Sequence, residues 1–343
     1  RSGVKALVFR GPGSMPLEDR AEREPGPGEV VVAIRASGIC GSDVHGFGGA
    51  TGRRKLGVVM GHEAAGDVVA IGPGVENAAV GDRVVLRSIL PCGRCDRCVH
   101  GQPNICLDRQ GMGMHFDGAY AERIVVPDRL VVRLPASLSY EAGSLVEPLA
   151  VAMHAVGITP LDARDVVVVV GAGPIGLLTL LAARDQGAGS IVVTDRDPHR
   201  LEVARALGAD AAIDVGRDDP VGAVMEATGG RGADVVFEAV GIAATVAQSI
   251  AVARPGGQVT WIGNSAPEVP LPMQALVTRE LTVRGSYGFV DEFELAVGAL
   301  AEGRIEASRL IERVARLEEG EDLFRELADG SLSAVKVVLT PAA

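Results

Sequence analysis

Hydrophobic and polar positions follow two different patterns along this chain, and the pattern changes near residue 155. Before that point, short valine-rich runs such as Glu29–Arg35, Ala65–Ile71 and Arg83–Leu86 are bounded by Gly, Pro and Asp. Runs of this kind predict short strands separated by turns. We therefore expect residues 1–154 to form a β-rich domain.

After residue 155, apolar strand patterns alternate with helical patterns. The predicted strands are Val166–Val170, Ile191–Thr194, Asp234–Glu238 and Gln258–Ile262. Strands that alternate with helices predict βαβ units, in which a parallel sheet is buried on both faces. Residues 155–288 are thus expected to form a doubly wound α/β domain.

The pattern becomes irregular near Gly285 and then predicts one amphipathic helix, Glu292–Glu302, and a last strand, Val335–Leu339. We expect residues 289–343 to return to the first domain. The fold class is α/β, with a β-rich domain interrupted by a dinucleotide-type domain.

Composition and charge narrow the possible functions. The 343 residues are 47% hydrophobic and carry a formal net charge of −11, which disfavours binding to nucleic acids and to anionic membranes. The apolar run Val166–Ala183 imitates a membrane span, but glycines and a proline interrupt it where a strand would turn into a helix. No leader pattern precedes the first strand, and a cytoplasmic protein is expected.

A glycine motif follows the strand Val166–Val170. Its glycines permit a tight turn, a close approach of backbone to pyrophosphate, and close helix–strand packing, while the helix N-terminus favours phosphate. In this context the motif predicts a dinucleotide site, and the alternative is a strand–helix turn that binds nothing. The motif residues are Gly171, Gly173, Pro174, Ile175 and Gly176.

Asp195 stands at the end of the next predicted strand, 19 residues after Gly176. A carboxylate there accepts hydrogen bonds from both ribose hydroxyls and repels a 2′-phosphate, which favours NAD. Arg196 and Arg200 lie close by in sequence and keep NADP open.

Four of the five cysteines lie in the loop 91–107, which is rich in Gly, Pro and charge. They are Cys92, Cys95, Cys98 and Cys106. Four thiolates can enclose zinc tetrahedrally and leave no position for substrate, so this spacing predicts a structural zinc site. Disulfide pairing and an iron–sulfur cluster are the alternatives.

Three other segments carry possible metal ligands. Cys40 follows a predicted strand, His62 and Glu63 open the next one, and Glu147 follows the β-rich region. Each is weak evidence by itself. Together they offer Cys, His and Glu donors, a set of three that leaves the fourth zinc position open for chemistry.

These motifs resemble, in order and sequence, the zinc-containing medium-chain dehydrogenases, especially the polyol (sorbitol-type), 2,3-butanediol and threonine branch. The resemblance covers essentially the whole chain. It implies a GroES-like catalytic domain, a Rossmann domain and two zinc ions per chain. It further implies that Cys40, His62 and Glu147 bind catalytic zinc, with Glu63 able to exchange with or replace a ligand.

The resemblance also implies roles for neighbouring side chains. Asp43 would hydrogen-bond His62, and Ser42 and His45 would pass the alcohol proton through the cofactor ribose to solvent. Arg200 and Lys336 match positions that contact the cofactor. Relatives are homodimers or homotetramers, and the strand around 281–284 is the subunit contact that the resemblance suggests.

The substrate class is harder to read. Glu147 precedes a proline, as in polyol and butanediol enzymes, whereas threonine dehydrogenases generally have aspartate there. Gly46 and Gly288 stand where sorbitol dehydrogenases have an aromatic residue and an arginine. A vicinal diol, sugar alcohol or cyclitol is therefore expected, with threonine or formaldehyde-type oxidation and a catalytically silent nucleotide-binding protein as alternatives. Three aromatic residues could line the pocket or simply pack: Phe116, Tyr287 and Phe289.

Overall fold

The structure is a computed structural model that describes residues 3–50, 52 and 54–341. The strands are β1 Gly3–Leu7, β2 Leu17–Ala21, β3 Glu29–Gly38, β4 Glu63–Ile71, β5 Arg83–Leu86, β6 Ile89–Leu90, β7 Gln110–Gly111, β8 Arg123–Pro127, β9 Val131–Arg133, β10 Val166–Val170, β11 Ser190–Asp195, β12 Ala211–Asp214, β13 Ala233–Glu238, β14 Ala253–Trp261, β15 Thr282–Gly285, β16 Ile311–Arg316 and β17 Lys336–Thr340.

The α-helices are α1 Gly41–Phe47, α2 Asp96–Val99, α3 Tyr140–Gly143, α4 Val146–Gly157, α5 Pro174–Asp185, α6 Pro198–Ala206, α7 Pro220–Ala227, α8 Ala243–Val252, α9 Met273–Thr278, α10 Glu292–Ala301 and α11 Gly320–Asp329. Short 3-10 helices span Pro103–Ile105, Asp128–Leu130, Ala307–Leu310 and Leu317–Glu319. The predicted strands, the predicted helix near residue 292 and the α/β fold class are confirmed.

The chain divides into two compact units: the first combines residues 1–147 and 293–343, and the second is 148–292. The domain boundaries expected from sequence were residues 154/155 and 288/289. The difference at the first boundary arises because α4 is continuous with the start of the α/β region.

The first unit is built on a sheet of order β16-β17-β3-β4-β5-β9, with β8 also paired with β3. Strands β3 and β4 are antiparallel, and their register sets Gly38 opposite Glu63. The end of β3 therefore meets the start of β4. Strand β17 pairs with the same end of β3, since Val338 lies opposite Gly38.

Three apolar clusters stabilise the described part of the first unit, and two of them are large. One groups aromatic side chains of distant segments, with Phe47 and Tyr120 each 5.5 Å from the ring of Phe324. The other fills the β3–β4–β5 region with buried valines such as Val30, Val32 and Val84. Burial of such side chains supplies roughly 1.5–3 kcal/mol each, so these clusters fix the ends of the strands.

The second unit contains a parallel sheet of order β12-β11-β10-β13-β14-β15. Its central strand β10 is an unbroken run of valine, buried almost throughout, as a strand covered on both faces requires. The apolar run noted at residues 166–183 is divided between β10 and α5. Among the described residues, none of the helices has both the length and the apolar character needed to cross a membrane.

Candidate metal centres and dinucleotide site

The four clustered cysteines converge in space. The sulfur of Cys95 lies 3.6 Å from that of Cys98 and 3.7 Å from that of Cys106. A zinc tetrahedron with bonds of about 2.3 Å has sulfur–sulfur edges of about 3.8 Å, so the arrangement fits this metal. All five cysteines of the chain are free thiols, which removes the disulfide alternative in this structure.

Backbone amides face these sulfurs. The N–H of Cys92 donates to Cys106 Sγ and that of Cys95 donates to Cys92 Sγ, both at 3.3 Å. Hydrogen bonds from the backbone of Cys98 and Leu107 lower the pKa of Cys95 to about 6. Because thiolates, not thiols, bind metals, these amides favour the metal-binding form of Cys95.

A second cluster of donors forms where β3 ends and β4 begins. Ligand atoms of Cys40, His62 and Glu63 all lie within 4.8 Å of one another. The register that sets Gly38 opposite Glu63 explains why residues so far apart in sequence meet here. Gly38 also leaves room for the carboxylate, since a Cβ there would lie 2.1 Å from Glu63 Oε2. The donor set of sulfur, imidazole and carboxylate fits zinc with an open fourth position.

Asp43 lies behind His62. Its Oδ2 is 3.3 Å from His62 Nδ1 and accepts a hydrogen bond of 2.8 Å from the Tyr120 hydroxyl. Its Oδ1 accepts a 2.6 Å hydrogen bond from Arg54. Burial opposes ionisation of Asp43, but His62 and Arg54 together hold the pKa of this carboxyl well below its usual range. A charged Asp43 fixes the ring of His62 and leaves Nε2 as the nitrogen available to a metal.

Burial lowers the pKa of His62, while the neighbouring Asp43 carboxylate and Cys40 thiol raise it more strongly. The pKa of His62 therefore rises overall, because a positive charge is favoured between Asp43 and Cys40. A metal cation at this position would satisfy the same preference.

Glu147 lies apart from this set of three. It is buried, and its Oε1 accepts a 2.6 Å hydrogen bond from the hydroxyl of Ser88. Burial raises its pKa, and the negative charge of Glu63 adds to the shift while His62 opposes it. The sequence left open which carboxylate is the direct ligand, and the structure groups Glu63 with Cys40 and His62.

Lys336, which the family resemblance places in contact with the dinucleotide, pairs with a buried carboxylate in the first unit. Its ammonium is 1% exposed and donates to both carboxylate oxygens of Glu63, at 2.7 and 2.9 Å, and to the carbonyl of Ile39 at 3.1 Å. Burial lowers the pKa of Lys336, and the charge of Glu63 more than reverses this. The three acceptors match the three hydrogens of the ammonium group. Lys336 therefore lies beside the cluster of Cys40, His62 and Glu63.

Ser42 and His45 both lie on α1, next to the ligand cluster. The hydroxyl of Ser42 is 3.3 Å from Cys40 Sγ, and both side chains belong to exposed residues. Partial burial and then the charge of Arg54 lower the pKa of His45. A neutral imidazole near solvent is suited to accept a proton and release it.

The glycine motif forms the turn between β10 and α5. Gly171 has φ +101°, which L side chains rarely adopt, and its N–H donates to Thr194 O at 2.8 Å. A Cβ on Gly176 would lie 1.8 Å from Gly171 O, so the third glycine is required by close packing. Helix α5 begins with Gly173 as N-cap and Pro174 in its first turn, and the N-terminus of a helix is suited to bind a phosphate.

Asp195 and Arg200 lie next to this turn. Asp195 Oδ2 accepts from Ala172 N at 2.6 Å, and Oδ1 accepts from Asp197 N at 2.9 Å. Arg200 is 3.6 Å from Asp197, and its Nη1 would lie 3.8 Å from a Cβ on Gly173. The Asp195 carboxylate and the Arg200 guanidinium therefore both lie next to the glycine motif of the second unit.

The aromatic residues considered for the pocket differ in burial. Phe116 packs partly buried against the β3–β4–β5 cluster, and Phe289 is 4% exposed. These two side chains therefore have packing roles, whereas Tyr287 is 42% exposed and remains accessible.

Sequence reasoning missed four side chains of the first unit: Arg54, Ser88 and Tyr120 as hydrogen-bond donors, and Lys336 as the partner of Glu63. One signal was present. Lys336 interrupts an otherwise apolar strand, and a lone charge in such a strand indicates a buried pair. Arg54 lies in a basic run of ordinary surface appearance and gave no signal.

Comparisons with known proteins agree with this geometry. Residues 26–136 match the family model of the alcohol dehydrogenase GroES-like domain, and residues 174–302 match that of the zinc-binding dehydrogenases. The chain is 32% identical over 343 residues to sorbitol dehydrogenase of Bacillus subtilis (strain 168), covering 98% of this chain and 97% of the relative.

Two crystal structures are similar over nearly the whole chain. A zinc-binding dehydrogenase of Sinorhizobium meliloti 1021 bound to NADP has a TM-score of 0.92 and 33% identity, covering 99% of this chain and 100% of that one. The 2R,3R-butanediol dehydrogenase of Bacillus subtilis has a TM-score of 0.89 and 32% identity, with the same coverage.

Proposed function

This chain belongs to the zinc-containing medium-chain dehydrogenases, in their polyol branch, and on that premise we propose how its residues oxidise a secondary alcohol. It is an oxidoreductase, a zinc-dependent dehydrogenase of polyols or diols. The observation that carries the proposal is the convergence of Cys40, His62 and Glu63 at the junction of β3 and β4.

Cys40 and His62 supply two ligands of the catalytic zinc, and a carboxylate supplies the third. Glu63 is the carboxylate that the geometry favours, with Glu147 close enough to influence the same charges. The four cysteines of loop 91–107 hold a second zinc with a structural role, so two zinc ions are proposed per chain.

Zinc at such a site supplies Lewis-acid stabilisation of the charge on a deprotonated alcohol, and a nicotinamide supplies the hydride acceptor. The protein's own residues position and move the proton. Asp43 holds His62 in one tautomer, and the Ser42 hydroxyl, which can accept one proton while it donates its own, would relay the proton of the alcohol. His45, on the same helix, would complete this relay by releasing the proton to solvent, as its lowered pKa favours.

NAD is the proposed cofactor. Asp195 is held beside the glycine motif by two backbone N–H groups, where a carboxylate suits ribose hydroxyls and repels a 2′-phosphate. Arg200 contacts a neighbouring aspartate, Asp197, which reduces its attraction for a phosphate. The NADP-bound structural relative makes NADP the second candidate.

The proposed substrate is a vicinal diol, a sugar alcohol or a cyclitol. By the family resemblance, Gly46 and Gly288 stand where sorbitol dehydrogenases have an aromatic residue and an arginine. Oxidation of threonine is the second candidate within the same chemistry.

A substrate screen tests the function. Purified protein should reduce NAD, followed as NADH absorbance, with at least one member of a panel of diols, sugar alcohols and cyclitols, and kcat/KM should be higher with NAD than with NADP. Elemental analysis should give two zinc ions per chain. Tight NADH binding and full zinc without turnover on any alcohol, threonine included, would instead support a silent nucleotide-binding protein.

We also propose a homodimer or homotetramer acting in the cytoplasm, where a reducing environment keeps five thiols free. Strand β15 is the edge strand of the parallel sheet, and the chain segment before it exposes the apolar residues Leu271, Met273 and Val277. Strand edges and exposed apolar side chains are both suited to contact with a second copy. Light scattering should give a mass of at least two chains, and a monomer at micromolar concentration would refute this assignment.

A further inference from the structure

Arg54 carries a buried charge beside the catalytic ligand cluster. Its side chain is 3% exposed, and that of its partner Asp43 is 1% exposed. Nη2 donates to Asp43 Oδ1 at 2.6 Å, while the other carboxylate oxygen faces Tyr120 and His62. Arg54 is therefore two contacts away from a metal ligand, by way of Asp43.

Gly46 provides the space that this guanidinium occupies. A Cβ on Gly46 would lie 1.8 Å from Arg54 Nη1 and 2.3 Å from its Cζ. Glycine inside a helix costs about 0.5–1 kcal/mol relative to alanine, and Gly46 lies within α1. The glycine is explained by the need to admit Arg54, which any side chain at position 46 would displace.

Arg54 neutralises the charge of the carboxylate that faces His62. A buried carboxylate without a partner is costly, whereas the Arg54–Asp43 pair carries no net charge. The Nε of Arg54 has no hydrogen-bond partner among the residues that the structure describes. The guanidinium thus donates a hydrogen bond to Asp43 although this position leaves one of its own donors, Nε, without an acceptor.

We propose that Arg54 is a positioning residue of the catalytic metal site. It holds Asp43 in the orientation in which Oδ2 faces His62 Nδ1, and Gly46 makes that position available. The inference rests on the proposed function, since it assumes that Cys40 and His62 bind the catalytic zinc.

Metal release to a chromophoric chelator tests this role without measuring turnover. The zinc-loaded protein should release metal in two phases, and the phase missing from Cys40→Ser is the one from the catalytic site. Residues that orient metal ligands typically change metal affinity or activity by about 10–100-fold, so Arg54→Met should accelerate this phase by about 10–100-fold. The other phase, from the four-cysteine site, should be unchanged.

Two further variants separate the charge of Arg54 from its position. Arg54→Lys keeps the charge and should restore part of the slow release. Gly46→Ala keeps the guanidinium but displaces it, and should accelerate release in the same direction as Arg54→Met. If Arg54→Met does not fold, the comparison of Arg54→Lys and Gly46→Ala with the unmodified protein decides the question.

Arg254→Met is the matched control. Arg254 also pairs with a buried carboxylate, Asp234, at 2.6 Å, but in the second unit. This variant should lower stability and leave both release phases unchanged. The role of Arg54 would be overturned if the rate of metal release were unchanged in all variants at positions 46 and 54, or if Arg254→Met accelerated release equally. Either result would leave the metal-site assignment intact. A release profile in which Cys40→Ser removes no phase would overturn the metal-site assignment itself.

Discussion

Cys40→Ser is expected to lower kcat/KM by about 10⁴-fold or more while the protein stays folded. An alcohol with a pKa near that of water costs about 12 kcal/mol to ionise at pH 7, and a bound zinc offsets most of this cost. Serine is close in size to cysteine but a far weaker zinc ligand. Cys40 lies just after β3, at the N-cap of α1, and is half-buried, so the sheet should keep its packing.

The measurement combines kcat/KM from NADH absorbance with zinc content and NADH binding. Cys40→Ser should retain one zinc per chain and bind NADH as the unmodified protein does, because the glycine motif and Asp195 belong to the other unit. Cys92→Ser is the contrasting variant and should lose the structural zinc and lower the melting temperature. Activity of Cys40→Ser within tenfold of the unmodified protein would refute the catalytic-site assignment.

In the metal-free protein, Lys336→Met should lower the free energy of unfolding by about 3–5 kcal/mol, since removing one partner of a buried ion pair leaves an uncompensated charge. Both side chains of the Lys336–Glu63 pair are 1% exposed. Methionine keeps most of the volume, so packing loss contributes little. Adding Glu63→Gln should recover part of the loss, because the remaining buried charge is then removed. Urea denaturation followed by circular dichroism measures all three proteins.

Arg304→Met controls for the loss of any ion pair. Arg304 pairs with Glu302 at the surface, with side chains 44% and 63% exposed, and such pairs contribute about 0–1 kcal/mol. Its loss should leave stability nearly unchanged. If Lys336→Met instead leaves stability unchanged and raises the KM for NAD, the lysine would serve the dinucleotide, as the family resemblance implied.

Local patterns determined a large part of this protein. Cys92 and Cys106 are 14 residues apart, and within so short a segment the thiols can reach one another without any distant strand pairing. The motif that begins at Gly171 is equally local, because its glycines are required by a single turn between β10 and α5. The alternation of strands and helices and the α/β class follow from periodicity, which each segment carries by itself.

The arrangement around His62 was decided only by tertiary structure. Lys336 and Glu63 are 273 residues apart. Neither local sequence predicts that β17 and β4 both pair with the end of β3. The placement of Glu63 rather than Glu147 beside Cys40 depends on that register. Arg54 reaches Asp43 because Gly46 leaves room for it. The interaction between buried charges depends on their distance in space, whereas the sequence gives only their distance along the chain.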